Sequence, residues 1–125
     1  MQILKDYTIC ENAIEAMEPE DAIVFNNTRG DILSITINGA AKVKVEGANV
    51  LYDKKDPDYE EKTEDAWNTI GCIAIANFGI AEVAQGPGLF ECGIEGARKV
   101  RVWVSEIAPG ADEITVHAIV ACSSD

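Results

Sequence analysis

Apolar and polar residues alternate in several short segments of the chain, and this alternation is typical of strands with one buried face. In residues 114–120 it places four apolar side chains on one face. Residues 100–104 alternate in the same way, with three valines on one face. The sequence predicts strands in five segments: residues 32–37, 42–46, 71–76, 100–104 and 114–120.

Turn-forming residues separate these segments. Asparagine, glycine and proline cluster at residues 26–30, 38–39, 86–88 and 109–110, and these residue types favour tight turns. Short strands with such turns between them are typical of all-β sandwiches and barrels. We therefore predict one domain over residues 1–125, an all-β antiparallel sandwich, with residues 1–30 as a candidate N-terminal arm. Residues 11–21 fit either a short helix or an edge strand.

One segment has no apolar period. Residues 53–65 contain seven acidic residues and three lysines, so we expect a long, solvated acidic loop. Asp53, Asp56, Asp58 and Glu60 are closely spaced oxygen donors of the kind that calcium prefers. The glycine of an EF-hand loop is missing, however, and lysines interrupt the series. We expect a plain acidic surface without a metal ion, and calcium binding is the alternative.

Charge narrows the choice of partners. The chain has 10 basic and 22 acidic residues, a net charge of −12. Nucleic-acid binders and proteins on anionic membranes need clustered basic residues, and here only Arg98, Lys99 and Arg101 cluster. We expect neither nucleic acid nor membrane as a partner. The first six residues lack the basic-then-apolar order of a signal peptide, so we expect the chain to fold in the cytoplasm.

The residues that most often carry chemistry are few. The four cysteines, Cys10, Cys72, Cys92 and Cys122, form no CxxC pair, so we expect no zinc site. Each lies in an apolar stretch, which favours small free thiols in the core or an interface; disulfides or reactive thiols are the alternative. His117 is the one histidine. No catalytic motif accompanies it, so we expect neither enzymatic activity nor a cofactor.

The second half of the chain has a recognisable order of features, namely residues 45–49, Trp67, residues 70–73, residues 88–90, Gly96, residues 100–104 and residues 114–118. Over about residues 43–121 this order resembles small β-sandwich virion proteins of tailed phages. A similar order occurs in discoidin-like carbohydrate-binding jelly rolls. The resemblance implies a jelly-roll-like topology and a role in a phage particle.

Outward-facing positions supply the candidate contact residues. If the three valines in residues 100–104 face the core, Arg101 and Trp103 face the other way, and this pair of residue types is enriched at interface centres. His117 and Ile119 face outward on the C-terminal strand by the same argument. We predict a protein interface that includes all four residues. The alternative is that the first 40 residues of the same chain cover this face.

These observations lead to one functional hypothesis and three rivals. The leading one is a non-enzymatic structural virion protein, most simply a capsid decoration or cement protein that is assembled in the host cytoplasm. Its partners would be the major capsid protein or another virion protein, and it would form a homo-oligomer such as a trimer. The first rival is a tail or neck component. The second is a carbohydrate-binding module with an aromatic platform that uses Trp67, Tyr52 or Tyr59. The third is an enzyme or redox protein that uses the cysteines.

Overall fold

The computed structural model describes residues 2–48 and 67–122, which form two antiparallel sheets around one apolar core. The strands are β1 (Gln2–Ala13), β2 (Ile23–Asn26), β3 (Ile32–Ile37), β4 (Ala41–Ala48), β5 (Asn68–Thr69), β6 (Cys72–Ala74), β7 (Ile80–Ala81), β8 (Ala84–Gln85), β9 (Gly88–Gly93), β10 (Lys99–Ile107) and β11 (Ile114–Cys122). A single 3₁₀ turn, Pro19–Asp21, precedes β2. No helix in these residues is long and apolar enough to cross a membrane.

The strands divide into a six-stranded and a five-stranded sheet. The six-stranded sheet has the order β1-β11-β3-β9-β6-β7. The five-stranded sheet has the order β2-β10-β4-β5, and β8 pairs with the other end of β4. The all-β sandwich predicted from the sequence is confirmed. The jelly-roll-like topology stays a prediction.

Alternating apolar side chains fill the space between the sheets. Val100, Val102 and Val104 of β10 are completely buried, as the alternation in residues 100–104 predicts. β11 buries Ile114, Val116 and other apolar residues from the opposite sheet with the same period of two. Because successive residues of a strand point to opposite faces, this period selects the side of each strand that forms the core.

The N-terminal residues differ from the sequence expectation. Residues 2–30 are not an arm, because β1 pairs with β11 in one sheet and β2 pairs with β10 in the other. Within residues 11–21, β1 ends at Ala13 on a sheet edge and the 3₁₀ turn follows. The predicted strand over residues 71–76 is shorter and leads into a hairpin between β6 and β7.

A buried amide closes one end of the sandwich. The Asn27 side chain is 8% exposed. Its Nδ2 group donates to the carbonyl oxygens of Gly30, Ile94 and Ala97 at 3.1, 2.8 and 3.0 Å. Its Oδ1 atom accepts a 2.8 Å hydrogen bond from the Gly30 N–H. Gly30 precedes β3, and Ile94 and Ala97 connect β9 to β10, so one side chain ties together two connections between the sheets.

Gly30 is required for this close approach. A Cβ atom at residue 30 would lie 2.4 Å from Val120 Cγ1 and 2.6 Å from Asn27 Oδ1. Both separations are far shorter than van der Waals contact. A side chain at residue 30 would therefore displace either the Asn27 amide or the core residue Val120.

Replacing Asn27 by alanine tests this arrangement. We expect the free energy of unfolding to fall by about 2–3 kcal/mol, because the carbonyl oxygens of Gly30 and Ile94 lose a donor and the Gly30 N–H loses its acceptor, all in buried hydrogen bonds. Urea denaturation with an unchanged m-value measures the loss. The matched control is Asn26→Ala, because Asn26 is the exposed neighbour, and its effect should stay within about 0.5 kcal/mol. Equal urea midpoints for the two variants would contradict the role given to Asn27.

Candidate interaction surfaces

Arg101 organises the outer face of the five-stranded sheet. Its Nε donates a 2.7 Å hydrogen bond to Oε1 of Glu46, which lies opposite it on β4. Its guanidinium carbon lies 4.5 Å from the ring centroid of Trp67 and 5.2 Å from that of Trp103. A guanidinium is attracted to the electron-rich face of an indole. One side chain thus joins a carboxylate and two aromatic rings.

Trp103 faces away from the core valines, as the alternation predicts, yet it is only 4% exposed. The Arg101 guanidinium lies over its ring, and the Lys44 ammonium lies 5.9 Å from the ring centroid. The expectation of an exposed aromatic anchor is therefore corrected: the chain itself covers most of this indole. Its contribution to a protein interface stays a prediction.

The four predicted contact residues do not form one surface. Arg101 and Trp103 lie on β10, whereas His117 and Ile119 lie on β11 in the other sheet. Within the six-stranded sheet, His117 is exposed and Ile119 is half-buried. Because each pair faces away from the shared core, the two pairs occupy opposite outer faces of the sandwich. A single partner surface cannot touch both pairs on one copy of the chain.

An apolar cluster that the sequence did not reveal lies at one edge of the six-stranded sheet. The edge patch consists of Ile73, Phe78, Ile80 and Leu89, which are 36%, 76%, 76% and 46% exposed. Ile73 of β6 pairs with Ile80 of β7 on one side and with Glu91 of β9 on the other. Leu89 shares the face of Glu91, two residues along the strand. Ile73, Ile80 and Leu89 therefore lie on the outer face of the sheet, and Phe78 lies in the turn beside them.

Phe78 belongs to the turn that joins β6 and β7. Its N–H donates a 2.7 Å hydrogen bond to the Ala74 carbonyl oxygen, and the Gly79 N–H donates to Asn77 Oδ1 at 2.8 Å. The backbone at Phe78 has φ +58°, in the left-handed region that is rare for a bulky side chain. The turn holds a large aromatic ring in an exposed position. Residues with a strained backbone conformation of this kind are common at functional sites.

The sequence carried a weak signal for the edge patch. Residues 71–76 indicate a buried apolar strand, and two further large apolar residues, Phe78 and Ile80, follow it closely. Asn77 and Gly79, two turn-forming residues, flank Phe78. An aromatic residue between two such residues sits at a loop tip, where burial is difficult.

The described part of the chain does not assemble a metal site or a carbohydrate platform from the other candidate residues. No three His, Cys, Asp or Glu side chains in residues 2–48 and 67–122 are placed to hold a metal ion. The acidic loop, residues 53–65, with the calcium candidates Asp53, Asp56, Asp58 and Glu60, lies outside the described residues. Tyr52 and Tyr59 of the expected carbohydrate platform also lie outside them. Its third member, Trp67, has the Arg101 guanidinium over one ring face.

Replacement of Trp103 by alanine distinguishes a covered indole from an exposed contact residue. We expect the free energy of unfolding to fall by about 3–5 kcal/mol, because the change empties a buried aromatic site. The control is Phe78→Ala, which removes an exposed aromatic and should change stability by no more than about 0.5 kcal/mol. Thermal and urea denaturation of both variants measure the difference. A Trp103→Ala protein as stable as the parent would show that the indole is not part of the packing.

Comparison with known proteins identifies two similar solved structures but no protein family for this chain. No family model and no curated protein matches the chain. The solved structure of the SPBc2 prophage-derived protein YomS is similar, with a TM-score of 0.66 and 18% identity over 93% of this chain and 90% of that one. The PBSX exported protein XepA is similar with a TM-score of 0.67 and 16% identity over 93% of this chain, which spans 37% of XepA. The chain thus shares its fold with two phage-derived proteins.

Proposed function

We propose that this protein is a non-enzymatic structural component of a tailed-phage virion and acts as a capsid decoration or cement protein. The observation that carries the proposal is the edge patch: large apolar side chains, one of them a strained Phe78, that the described chain leaves exposed. Contiguous exposed apolar surface on a folded protein usually marks a contact site. The two phage-derived neighbours, one of them matched over nearly its full length, support a phage role.

Charge around the edge patch favours a particular partner. Glu91 lies beside Ile73 on the same face, and Glu82 follows β7. The whole chain has a net charge of −12. Two copies that met through this patch would bring like charges together, which opposes association. The patch fits a protein with an apolar pocket bordered by lysine or arginine, and we assign this role to the major capsid protein or another virion protein.

A decoration protein needs no chemistry to stabilise a shell. Any protein that binds the assembled state and not the free subunits shifts the equilibrium towards assembly by mass action. A contact made by four side chains is small, so we expect the affinity of a single edge patch for the shell to be weak. A homo-oligomer such as a trimer would bring several edge patches to one shell and raise the overall affinity by effective concentration. The surfaces for that oligomer would lie away from the edge patch.

Particle analysis tests the location. Tailed-phage particles from the same source, purified on a density gradient, should contain the protein in a fixed ratio to the major capsid protein. Immunogold labelling should decorate the head. Labelling of the tail or neck would replace the decoration role with the rival position in the particle. Complete absence from purified particles would overturn the virion role.

Substitutions in the edge patch test the contact surface. The binding assay uses phage particles from which this protein has been removed. We expect Phe78→Ala and Ile80→Ala each to weaken binding to these particles by about tenfold or more, because exposed aromatic and aliphatic anchors dominate such contacts. The matched control is Ile14→Ala, since Ile14 is 72% exposed but lies between β1 and β2; it should bind like the parent. Co-sedimentation measures binding, and circular dichroism confirms folding. Equal binding by all three variants would contradict the edge patch as the contact surface. A parent chain that sediments with phosphatidylglycerol vesicles and not with particles would point to a lipid partner instead.

A further inference from the structure

Two buried cysteines face each other beneath the edge patch. Cys72 of β6 and Cys92 of β9 are each 1% exposed. The Cys92 thiol donates towards the sulfur of Cys72, and the two Sγ atoms are 3.2 Å apart. The other two cysteines, Cys10 and Cys122, are half-buried and belong to β1 and β11. Cys72 and Cys92 therefore form a pair set apart from the remaining thiols.

The backbone places this pair in the geometry of a cross-strand bridge. β6 and β9 pair Ile73 with Glu91 and Ala74 with Phe90, and the same register brings Cys72 opposite Cys92. Directly opposed residues of antiparallel strands have Cα atoms about 4.5–5.5 Å apart, within the range of about 4.4–6.8 Å that disulfides span. The sulfurs need to approach by little more than about 1 Å to reach the bond length of about 2.05 Å.

We propose that Cys72 and Cys92 form an intrachain disulfide when the protein meets an oxidising thiol–disulfide environment. The oxidant is a small-molecule disulfide such as oxidised glutathione. The Cys72 thiolate attacks one sulfur of the oxidant, the S–S bond breaks, and one glutathione leaves. Cys92 then loses its proton and attacks the Cys72 sulfur of the mixed disulfide, which displaces the second glutathione. Two electrons pass from the cysteines to the oxidant, and the two cysteine protons balance the two glutathione thiols formed.

Local chemistry and packing allow this exchange. The hydrogen bond from Cys92 lowers the pKa of Cys72, and the same hydrogen bond together with burial raises the pKa of Cys92. Deprotonation therefore begins at Cys72, whose thiolate is the attacking species. Both sulfurs are buried, so the oxidant needs an opening of β6. This strand is short and lies next to the sheet edge at β7, where local opening is easier than in the core.

The bond would link two of the strands that carry the edge patch, β6 and β9. Ile73 follows Cys72 on β6, and Leu89 lies three residues before Cys92 on β9. A disulfide between them closes a loop of about 20 residues and restrains the unfolded chain. The inference goes beyond the proposed function and does not depend on it, because the bond forms or fails to form in the isolated chain.

Refolding in a redox buffer tests the disulfide. The full chain is unfolded in urea, refolded in a mixture of oxidised and reduced glutathione, alkylated, and digested without reductant. Before alkylation, we expect the intact refolded chain to be about 2 Da lighter than the reduced chain, because one bond removes two hydrogens. After alkylation and digestion, we expect one cross-linked peptide pair that contains Cys72 and Cys92, with neither of the two alkylated. The thermal midpoint should rise by about 10 °C relative to the reduced protein. A refolded chain whose Cys72 and Cys92 are both alkylated, or one whose bond joins either of them to Cys10 or Cys122, would overturn the proposal.

Two variants make the result specific. Cys10→Ser combined with Cys122→Ser removes the half-buried thiols and should keep both the mass change and the rise in the thermal midpoint. Cys92→Ser leaves Cys72 without its partner and should lose both. If Cys92→Ser does not fold, Cys72→Ser provides the same comparison from the other strand. A midpoint that rises equally in the parent and in the variant lacking one sulfur would show that the stabilisation does not come from this bond.

Discussion

The Asn27 amide fixes the two sheets to each other where the chain crosses between them. Two of the several crossings run from β2 to β3 and from β9 to β10, and the same side chain bonds both of these connections. Hydrogen bonds of a buried amide are strong because water does not compete for them, and their loss is correspondingly expensive. β3 and β10 each pair on both sides within their own sheets. These two strands therefore position β2, β4, β9 and β11 directly.

The two outer faces of the sandwich differ in how far their apolar side chains are covered. On the five-stranded sheet, Arg101 draws Glu46, Trp67 and Trp103 together and leaves little of Trp103 accessible. A paired, partly buried guanidinium of this kind orders the surface around it. Among the described residues, none covers the apolar side chains at the β6–β7 edge of the six-stranded sheet to a comparable degree. The first face is largely covered by the chain itself, and the second leaves apolar side chains exposed.

The sequence was informative wherever one face of a strand is buried along its whole length. β3, β10 and β11 follow the predicted alternation because every inward residue contacts the same core. β5, β7 and β8 have two residues each, too few to show a period. The burial of Trp103 depends on Arg101 and on Trp67, which is distant in sequence. Alternation along one strand shows which way a side chain points. It contains no information about which residues from other parts of the chain cover that side chain.

An exposed apolar edge in a folded protein needs protection from indiscriminate pairing. β7 offers only Ile80 and Ala81 as an edge strand, and short edges give few hydrogen bonds to a foreign strand. The opposite edge, β1, is longer, but its pairing with β11 is broken by several register shifts, which also discourages strand addition. The net charge of −12 repels further copies at a distance. With the proposed function, the edge patch would accept a partner that supplies both an apolar pocket and positive charge around it.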